Sequence, residues 1–189
     1  IKMKFSEISV VVPAHNAEKI IEKSLISYSK FFSKLYSRYE IIVVANACGD
    51  KTAEIVKNQC KKNKNIRLFE TEKRGKGRAI LMGFMHAKYQ LIGFIDADDV
   101  FNHSFLKIML SRIDGYDCVI ASKWLNQKFS KVREPFSRKI FAVGWNLMTK
   151  ILLGLNFKDT QAGCKFLKKS AFDSIDKNFI CLGWDFDAE

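Results

Sequence analysis

The stretch Leu91–Asp99, LIGFIDADD, decides the fold prediction. Its apolar run, rich in residues that favour β-structure, is typical of a strand buried on both faces, as in a parallel sheet. Three carboxylates, Asp96, Asp98 and Asp99, follow at the carboxyl end of that strand. Ligands of open α/β sheets bind at this end of the strands, so the stretch predicts both an α/β fold and the place of its site.

The three carboxylates also predict the chemistry of that site. Acids this close repel one another and are costly to bury unless a cation or positive side chains compensate them. A hard divalent cation with oxygen ligands resolves the conflict, which indicates a site for a metal and phosphates. The alternative is a polar loop with a helix-capping Asp, and capping alone would explain Asp99. It explains Asp96 poorly, because Asp96 directly follows the hydrophobic strand.

The composition indicates a single globular domain. The chain has 189 residues, of which 48% are hydrophobic, so it is long enough for a sizeable core and is not a disordered chain. Its 5 cysteines are scattered and form no CxxC pair, which favours reduced thiols and argues against zinc. There is no signal peptide and no run of 18 apolar residues, so we expect any membrane span to lie beyond Glu189.

The net charge of +12 favours polyanionic partners. Nucleic acid, anionic lipid headgroups and phosphorylated substrates all fit such a surplus. A general solubility surplus is the alternative explanation. Nucleic acid is not expected, because no recognition helix or RNA-binding signature is visible and the acid cluster opposes it.

Strands and helices alternate through the first two thirds of the chain, which predicts a mostly parallel sheet with crossover helices. Asn16 is a candidate N-cap and Glu18 a first-turn acid for the first helix, and Asp50 is a candidate cap for the second. We interpret His15 as a hydrogen-bonded turn residue. The predicted strands are 8–12, 40–45, 66–69, 91–95, 117–121 and 165–167, and the helices are 17–35, 51–62, 78–87, 105–113 and 136–153.

Two basic segments flank the acid cluster. The turn KRGKGR at residues 73–78 combines glycines, cations and a helix N-terminus, which suits an anion, although a plain basic turn is equally compatible. From Ser122 onward, basic residues alternate with aromatic ones, and the predicted helix 136–153 is apolar nearly all round. Such a helix is either buried in the core or lies at a membrane surface.

Six motifs in order resemble those of the inverting glycosyltransferases of family 2, which have a GT-A (nucleotide-diphospho-sugar transferase) fold. The resemblance covers residues 8–189. The last two motifs look most like the branch that uses a polyprenyl or dolichyl phosphate acceptor. The motifs are VVPAHNAE (11–18), ANACGDKT (45–52), RGKGRA (74–79), IDADD (95–99), DTQAGCKF (159–166) and WDFDAE (184–189).

The resemblance implies one catalytic domain over residues 1–189, with a nucleotide-sugar-binding half (1–121) and an acceptor-binding half (122–189). Asp96 and Asp98 would hold Mg²⁺ or Mn²⁺, and Asp98 and Asp159 would be catalytic. The donor would contact Pro13, Ala14, Asn16, Glu18, Asn46, Lys76, Asp96, Ala97 and Asp98. The acceptor would contact Lys123, Arg133, Ser137, Gln161 and Trp184.

Two departures from the family pattern affect these expectations. Similar enzymes carry Asp-Asp-Gly-Ser after the second strand, where this chain has Ala45, Asn46, Ala47 and Cys48. Asn46 can hydrogen-bond a base edge but carries no charge. Lys123 stands where an Arg is common, which keeps the charge but loses the bidentate fork for phosphate.

The activity implied by the resemblance is metal-dependent, inverting transfer of a hexose from UDP-glucose or GDP-mannose to a polyprenyl or dolichyl phosphate. Such an enzyme would work at the cytoplasmic face of a membrane through peripheral contact or through anchors outside this chain. An ionised phosphate is already a nucleophile, so Asp159 would orient the acceptor or stabilise the sugar's positive charge. The alternatives are a family 2 enzyme acting on a saccharide hydroxyl and a catalytically silent nucleotide-sugar-binding module at a membrane surface.

Overall fold

A computed structural model describes residues 3–99, 102–121 and 163–175 of the chain. The strands are β1 (Glu7–Ala14), β2 (Arg38–Asn46), β3 (Ile66–Thr71), β4 (Leu91–Ile95), β5 (Cys118–Ile120) and β6 (Cys164–Lys168). The helices are α1 (Ile21–Leu35), α2 (Thr52–Lys62), α3 (Lys76–Met85), α4 (His103–Ser111) and α5 (Lys169–Asp173), with a 3₁₀ turn at Ile113–Gly115.

The strands form one six-stranded sheet in the order β3-β2-β1-β4-β6-β5. The first four are parallel, while β6 runs antiparallel to both β4 and β5. The prediction of a mostly parallel sheet is therefore confirmed. The sheet brings the carboxyl ends of β1, β2 and β4 side by side, because β1 pairs with both of the others.

Helices cover both faces of the sheet and divide the core in two. On one face, α1, α2 and α4 pack against the sheet through residues such as Phe32, Val56 and Leu106. On the other face, α3 and α5 pack through Ile80, Phe84 and Phe172. All five residues of β4 are buried, as expected for a strand covered on both faces.

Three capping predictions are wrong. Helix α1 begins at Ile21, so Asn16 is not its N-cap and Glu18 is not in its first turn. Both side chains instead bind the α2 side of the fold: Asn16 accepts from the Gly49 amide and Glu18 from the Lys51 amide. Asp99 does not cap the helix after β4, because Asn102 is the N-cap of α4 and accepts from the Ser104 amide. In each case the helix begins further along the chain than the proposed capping residue allows.

The Asp50 carboxylate accepts a hydrogen bond of 3.0 Å from the amide of Thr52, the first residue of α2. Asp50 stands one position before the N-cap, Lys51, and stabilises the start of the helix, as expected. The cysteines among the described residues, Cys48, Cys60, Cys118 and Cys164, are free thiols, in agreement with the prediction. Within the described ranges, no helix combines the length and the apolar character that crossing a bilayer requires. The predicted helix 136–153, the terminal acids and Cys181 lie outside the described residues.

Candidate functional site

A cavity of about 590 Å³ lies at the carboxyl ends of β1, β2 and β4, beside the start of α3. Ligands of open α/β sheets bind at this position, outside the carboxyl ends of the strands. Eight of the nine predicted donor-binding residues line it, and Glu18 does not. Its lining comprises Pro13, Ala14, His15, Asn16, Ala17, Ile20, Asn46, Arg74, Gly75, Lys76, Asp96, Ala97 and Asp98.

Within four residues of the end of each of β1, β2 and β4 lies a non-glycine residue whose backbone is in the left-handed region. Asn16 follows β1 with φ 49°, Ala47 follows β2 with φ 49°, and Asp99 follows β4 with φ 47°. Left-handed backbone costs a non-glycine residue on the order of 1 kcal/mol, least for Asn and Asp. Such strain tends to gather at functional sites, and here it turns three loops around one cavity.

Lys76 and Asp96 form the charged centre of the cavity. The Nζ of Lys76 lies 2.7 Å from Oδ1 of Asp96, and the two side chains are 12% and 28% exposed. Asp98 lines the same space. The Lys76–Asp96 pair joins α3 to the acid-bearing loop after β4. Together with Asp98, it places in one cavity a cation and two carboxylates that the sequence predicted separately.

Gly163 fixes the other side of the Asp96 carboxylate. The Gly163 carbonyl accepts a hydrogen bond of 2.9 Å from the Asp96 amide. A methyl group at Gly163 would collide with the Asp96 carboxylate. The glycine of the AGC sequence before β6 is therefore required by a close approach, and it was not among the predicted site residues.

Three polar side chains of α1 hold the acid-bearing loop from beneath. The Tyr28 hydroxyl donates to the Asp96 carbonyl at 2.7 Å, and the Ser24 hydroxyl donates to the Ala97 carbonyl at 2.6 Å. The Ser27 hydroxyl donates to the Asp99 carboxylate at 2.8 Å. None of these three positioning residues was among the site residues predicted from the sequence. The signal was available, since a buried Tyr hydroxyl usually finds a partner.

Electrostatics around the loop keep two neighbouring groups neutral. Burial, and then the negative charges of the nearby Asp99, Asp98 and Asp96, raises the pKa of Tyr28 far above its ordinary value. Burial, followed by the charge of Asp96, likewise raises the pKa of the Cys164 thiol. Tyr28 is thus a permanent donor, and Cys164 is a buried thiol instead of a thiolate ligand.

Asn46 and His15 link the first two strands to the basic turn. Oδ1 of Asn46 accepts from the Gly75 amide at 3.1 Å, and its carbonyl accepts from Nδ1 of His15 at 2.7 Å. Asn46 is nearly fully buried. Its carboxamide oxygen therefore fixes the position of Gly75, the N-cap of α3, and His15 is the hydrogen-bonded turn residue that the sequence predicted.

Asp96 and Asp98 fit a divalent cation. Both carboxylates line one cavity, and oxygen ligands of this kind suit Mg²⁺ and Mn²⁺. After burial, the charges of Asp99, Asp98 and Asp96 also raise the pKa of Tyr28, because these carboxylates lie close to its hydroxyl. Because Lys76 already contacts Oδ1 of Asp96, we expect Asp98 to be the principal ligand. Asp159 and the predicted acceptor contacts Lys123, Arg133, Ser137, Gln161 and Trp184 lie outside the described residues.

The model of the family described as "Glycosyl transferase family 2" matches residues 9–176. The chain belongs to this family. Its similar relatives include dolichyl-phosphate beta-glucosyltransferases of Trichomonas vaginalis (31% identity) and Saccharomyces cerevisiae (27%). Each alignment covers 96% of this chain, but only 59% and 60% of the relative. Glycosyltransferase AglD of Haloferax volcanii is 26% identical over 97% of this chain and 30% of its own length.

Solved structures of GT-A glycosyltransferases share the fold. Glucosyl-3-phosphoglycerate synthase from Mycobacterium tuberculosis, in complex with Mn²⁺, UDP and phosphoglyceric acid, superposes with a TM-score of 0.69 at 20% identity. The superposition covers 97% of this chain and 62% of that one. TarS of S. aureus gives a TM-score of 0.61 at 21% identity, over 96% and 53% of the two chains. The GT-A prediction is confirmed.

Proposed function

We propose that this chain is the catalytic part of a hexosyltransferase that uses a sugar nucleotide and a polyprenyl or dolichyl phosphate. The observation that carries the proposal is the cavity in which Lys76, Asp96 and Asp98 meet at the carboxyl ends of the parallel strands. Family membership and the dolichyl-phosphate glucosyltransferases among the relatives support the reaction class and the acceptor. The chain spans about three fifths of the length of those relatives, so the complete activity and its acceptor are a proposal.

The cavity offers positive groups to a diphosphate on the side of α3. Lys76 and Arg74 line it, and Gly75 and Lys76 begin the helix, whose N-terminus attracts anions. Pro13, Ala14 and Asn16 form the β1 side, where the nucleoside would lie. Asn46 would reach the base only through its amide nitrogen, because its oxygen accepts from Gly75.

Asp98 and Asp96 would hold the divalent cation, Mg²⁺ or Mn²⁺. When bound, this cation supplies positive charge for the diphosphate leaving group. Tyr28 and Ser24 fix the backbone that presents the two acids, and Lys76 fixes the Asp96 side chain. Preorganised charge of this kind acts without rearrangement during the reaction.

The proposed reaction inverts the anomeric carbon. A phosphate oxygen of the acceptor forms a bond to that carbon from the face opposite the leaving group. The bond from the carbon to the diphosphate oxygen breaks, and its electron pair leaves with the nucleoside diphosphate. No strong base is required, so Asp159 is assigned to orienting the acceptor or to stabilising positive charge on the sugar.

The acceptor would be bound by the basic, aromatic segment after Ser122, through Lys123, Arg133, Ser137, Gln161 and Trp184. A polyprenyl phosphate lies in a bilayer, so the protein would contact the membrane peripherally, at its cytoplasmic face. Basic side chains suit that surface, because anionic lipids make it negative.

The test is sugar-nucleotide turnover by wild type and Asp98→Ala, with polyprenyl phosphate, with a soluble saccharide and with neither. We expect UDP-glucose or GDP-mannose to be consumed only with the lipid phosphate, and Asp98→Ala to be inactive. Full activity of Asp98→Ala would disprove its catalytic role. Transfer only to the saccharide would overturn the acceptor, and calorimetric binding of donor without any transfer would favour a silent module.

A further inference from the structure

A second cavity, of about 450 Å³, lies between α1 and α4 and shares no lining residue with the first. We name it the α1–α4 cavity. Three lysines line it, Lys30 and Lys34 from α1 and Lys107 from α4. Phe31, Leu35, His103 and Ser104 complete its walls. The space is large enough for a small phosphorylated group, and its charge comes from two separate helices.

The lysines of this cavity have no acidic partner in the described part of the chain. None of the three forms an ion pair there, and no carboxylate lines the cavity. Lys30 and Lys34 are one helical turn apart on the same face, where like charges destabilise a helix. A bound anion would remove this repulsion.

The start of α4 lines the same space. His103 and Ser104 are the first two residues of α4, whose nine residues give it a positive N-terminal end. The Ser104 amide already donates to the Asn102 side chain, so the start of α4 contributes its dipole and the Ser104 hydroxyl, and not this amide. Together, the cavity offers three ammonium groups, a hydroxyl and the positive end of a helix dipole, all of which favour a phosphate.

His103 gives the wall of the cavity a defined position. Its ring packs on Phe31, with centroids 4.7 Å apart. Its Nε2 lies 3.2 Å from the Ser27 hydroxyl and 3.4 Å from the Asp99 carboxylate. Asp99 thus contacts the wall from behind without lining the cavity, so the space itself stays positive.

We propose that the α1–α4 cavity binds a phosphate group, carried either by a soluble phosphorylated molecule or by a lipid headgroup. It accounts for part of the surplus of +12, which the donor cavity does not use. The proposal does not depend on turnover at the donor cavity.

The first test is a titration of the full chain with inorganic phosphate, followed by amide NMR at constant ionic strength set with chloride. We expect saturable shifts of the Ser104 and Lys107 amides. The Gly75 and Lys76 amides report the donor cavity separately. Shifts confined to Gly75 and Lys76, or a linear response matched by chloride alone, would overturn the proposal.

The double variant Lys30→Gln/Lys107→Gln removes one cation from each helix. Lys30 is exposed and Lys107 is partly buried, and neither forms an ion pair among the described residues, so we expect the variant to fold, and its melting curve checks this. Two lost charge-assisted contacts should weaken phosphate binding by roughly tenfold or more. Lys61→Gln/Lys64→Gln, which changes two exposed lysines at the end of α2, is the matched control and should bind as wild type does. Equal weakening in both variants would indicate a general charge effect and disprove the site.

Vesicles of phosphatidylcholine with and without phosphatidic acid distinguish the two sources. Co-sedimentation that requires phosphatidic acid and is lost in Lys30→Gln/Lys107→Gln, but kept in the control, supports a lipid phosphate. Unchanged sedimentation, together with the loss of inorganic phosphate binding in the same variant, supports a soluble ligand. Unchanged behaviour of the variant in both assays would overturn the proposal.

Discussion

Two ion pairs at opposite ends of the sheet have the same length and different roles. Near the amino ends of the strands, Arg67 lies 2.7 Å from Oε2 of Glu40. At the carboxyl ends, Lys76 lies 2.7 Å from Oδ1 of Asp96. The Glu40 side chain is 5% exposed, while that of Asp96 is 28% exposed and faces a cavity.

The surroundings explain the difference. Oε1 of Glu40 also accepts from the Ser9 hydroxyl and the Lys88 amide, so this carboxylate is fully satisfied by its own protein. Around Asp96, two further acids, Asp98 and Asp99, follow within three residues. An ion pair therefore indicates a binding site only where uncompensated charge faces an open cavity. Where every carboxylate lone pair is hydrogen-bonded within the protein, the ion pair stabilises the packing of strands and loops.

The largest expected effect is the loss of turnover in Asp98→Ala. Removing a group that stabilises transition-state charge typically costs on the order of 100- to 1,000-fold in rate. Stability should change by no more than ~1 kcal/mol, because the site is open to solvent. Steady-state kinetics and denaturant unfolding measure the two quantities. If Asp98→Ala lowered the stability strongly while the folded fraction kept the wild-type turnover rate, Asp98 would have a structural role, and the proposed difference between the two ends of the sheet would be wrong.

Glu40→Gln should give the opposite result. It removes the charge opposite Arg67 in a buried network, which we expect to cost about 2–3 kcal/mol of unfolding free energy. The turnover of the folded fraction should stay unchanged, since Glu40 lies at the far end of the sheet. Glu70→Gln is the control, because the Lys57–Glu70 pair is exposed on both sides and should contribute little. A large rate loss in Glu40→Gln would show that this network supports the site.

Gly163→Ala sharpens the comparison by displacing Asp96 without changing any charge. The added methyl collides with the Asp96 carboxylate, so the Asp96 side chain must rotate away from its present position, or the loop or β6 must shift. We expect roughly tenfold lower turnover and about 1–3 kcal/mol lower stability. Gly115→Ala is the matched control, because a methyl there meets nothing within 4 Å. Wild-type kinetics of Gly163→Ala would contradict the close approach.

Tyr28→Phe has the smallest expected effect. It removes the hydroxyl that donates to the Asp96 carbonyl, which should cost about 1 kcal/mol of stability and raise the KM for the donor a few-fold. Tyr36→Phe is the matched control, because the buried Tyr36 hydroxyl has no hydrogen-bond partner among the described residues. Its removal should be neutral or stabilising. Equal effects of both variants would indicate lost packing and not lost positioning.

Local patterns predicted the elements and most of the cavity. Alternation of buried strands and amphipathic helices was enough for the sheet, and the acids after β4 were enough for its functional end. The capping predictions for Asn16 and Asp99 were wrong because several loop residues separate each of them from the next helix. Their side chains accept hydrogen bonds from the Gly49 amide and the Ser27 hydroxyl instead. The first-turn prediction for Glu18 is wrong for the same reason, since its carboxylate accepts from the Lys51 amide.

By itself, the sequence determined the parallel α/β order, the end of the sheet that carries the chemistry, and the residue types Lys76, Asp96 and Asp98. Hydrophobic periodicity and charge are local properties, so they are readable along the chain. Only the tertiary structure decided that Tyr28 supports the Asp96 backbone, that Gly163 leaves room for its carboxylate, and that Asn46 fixes Gly75. These contacts depend on β1 lying between β2 and β4 and on β6 pairing with β4, which long-range packing sets.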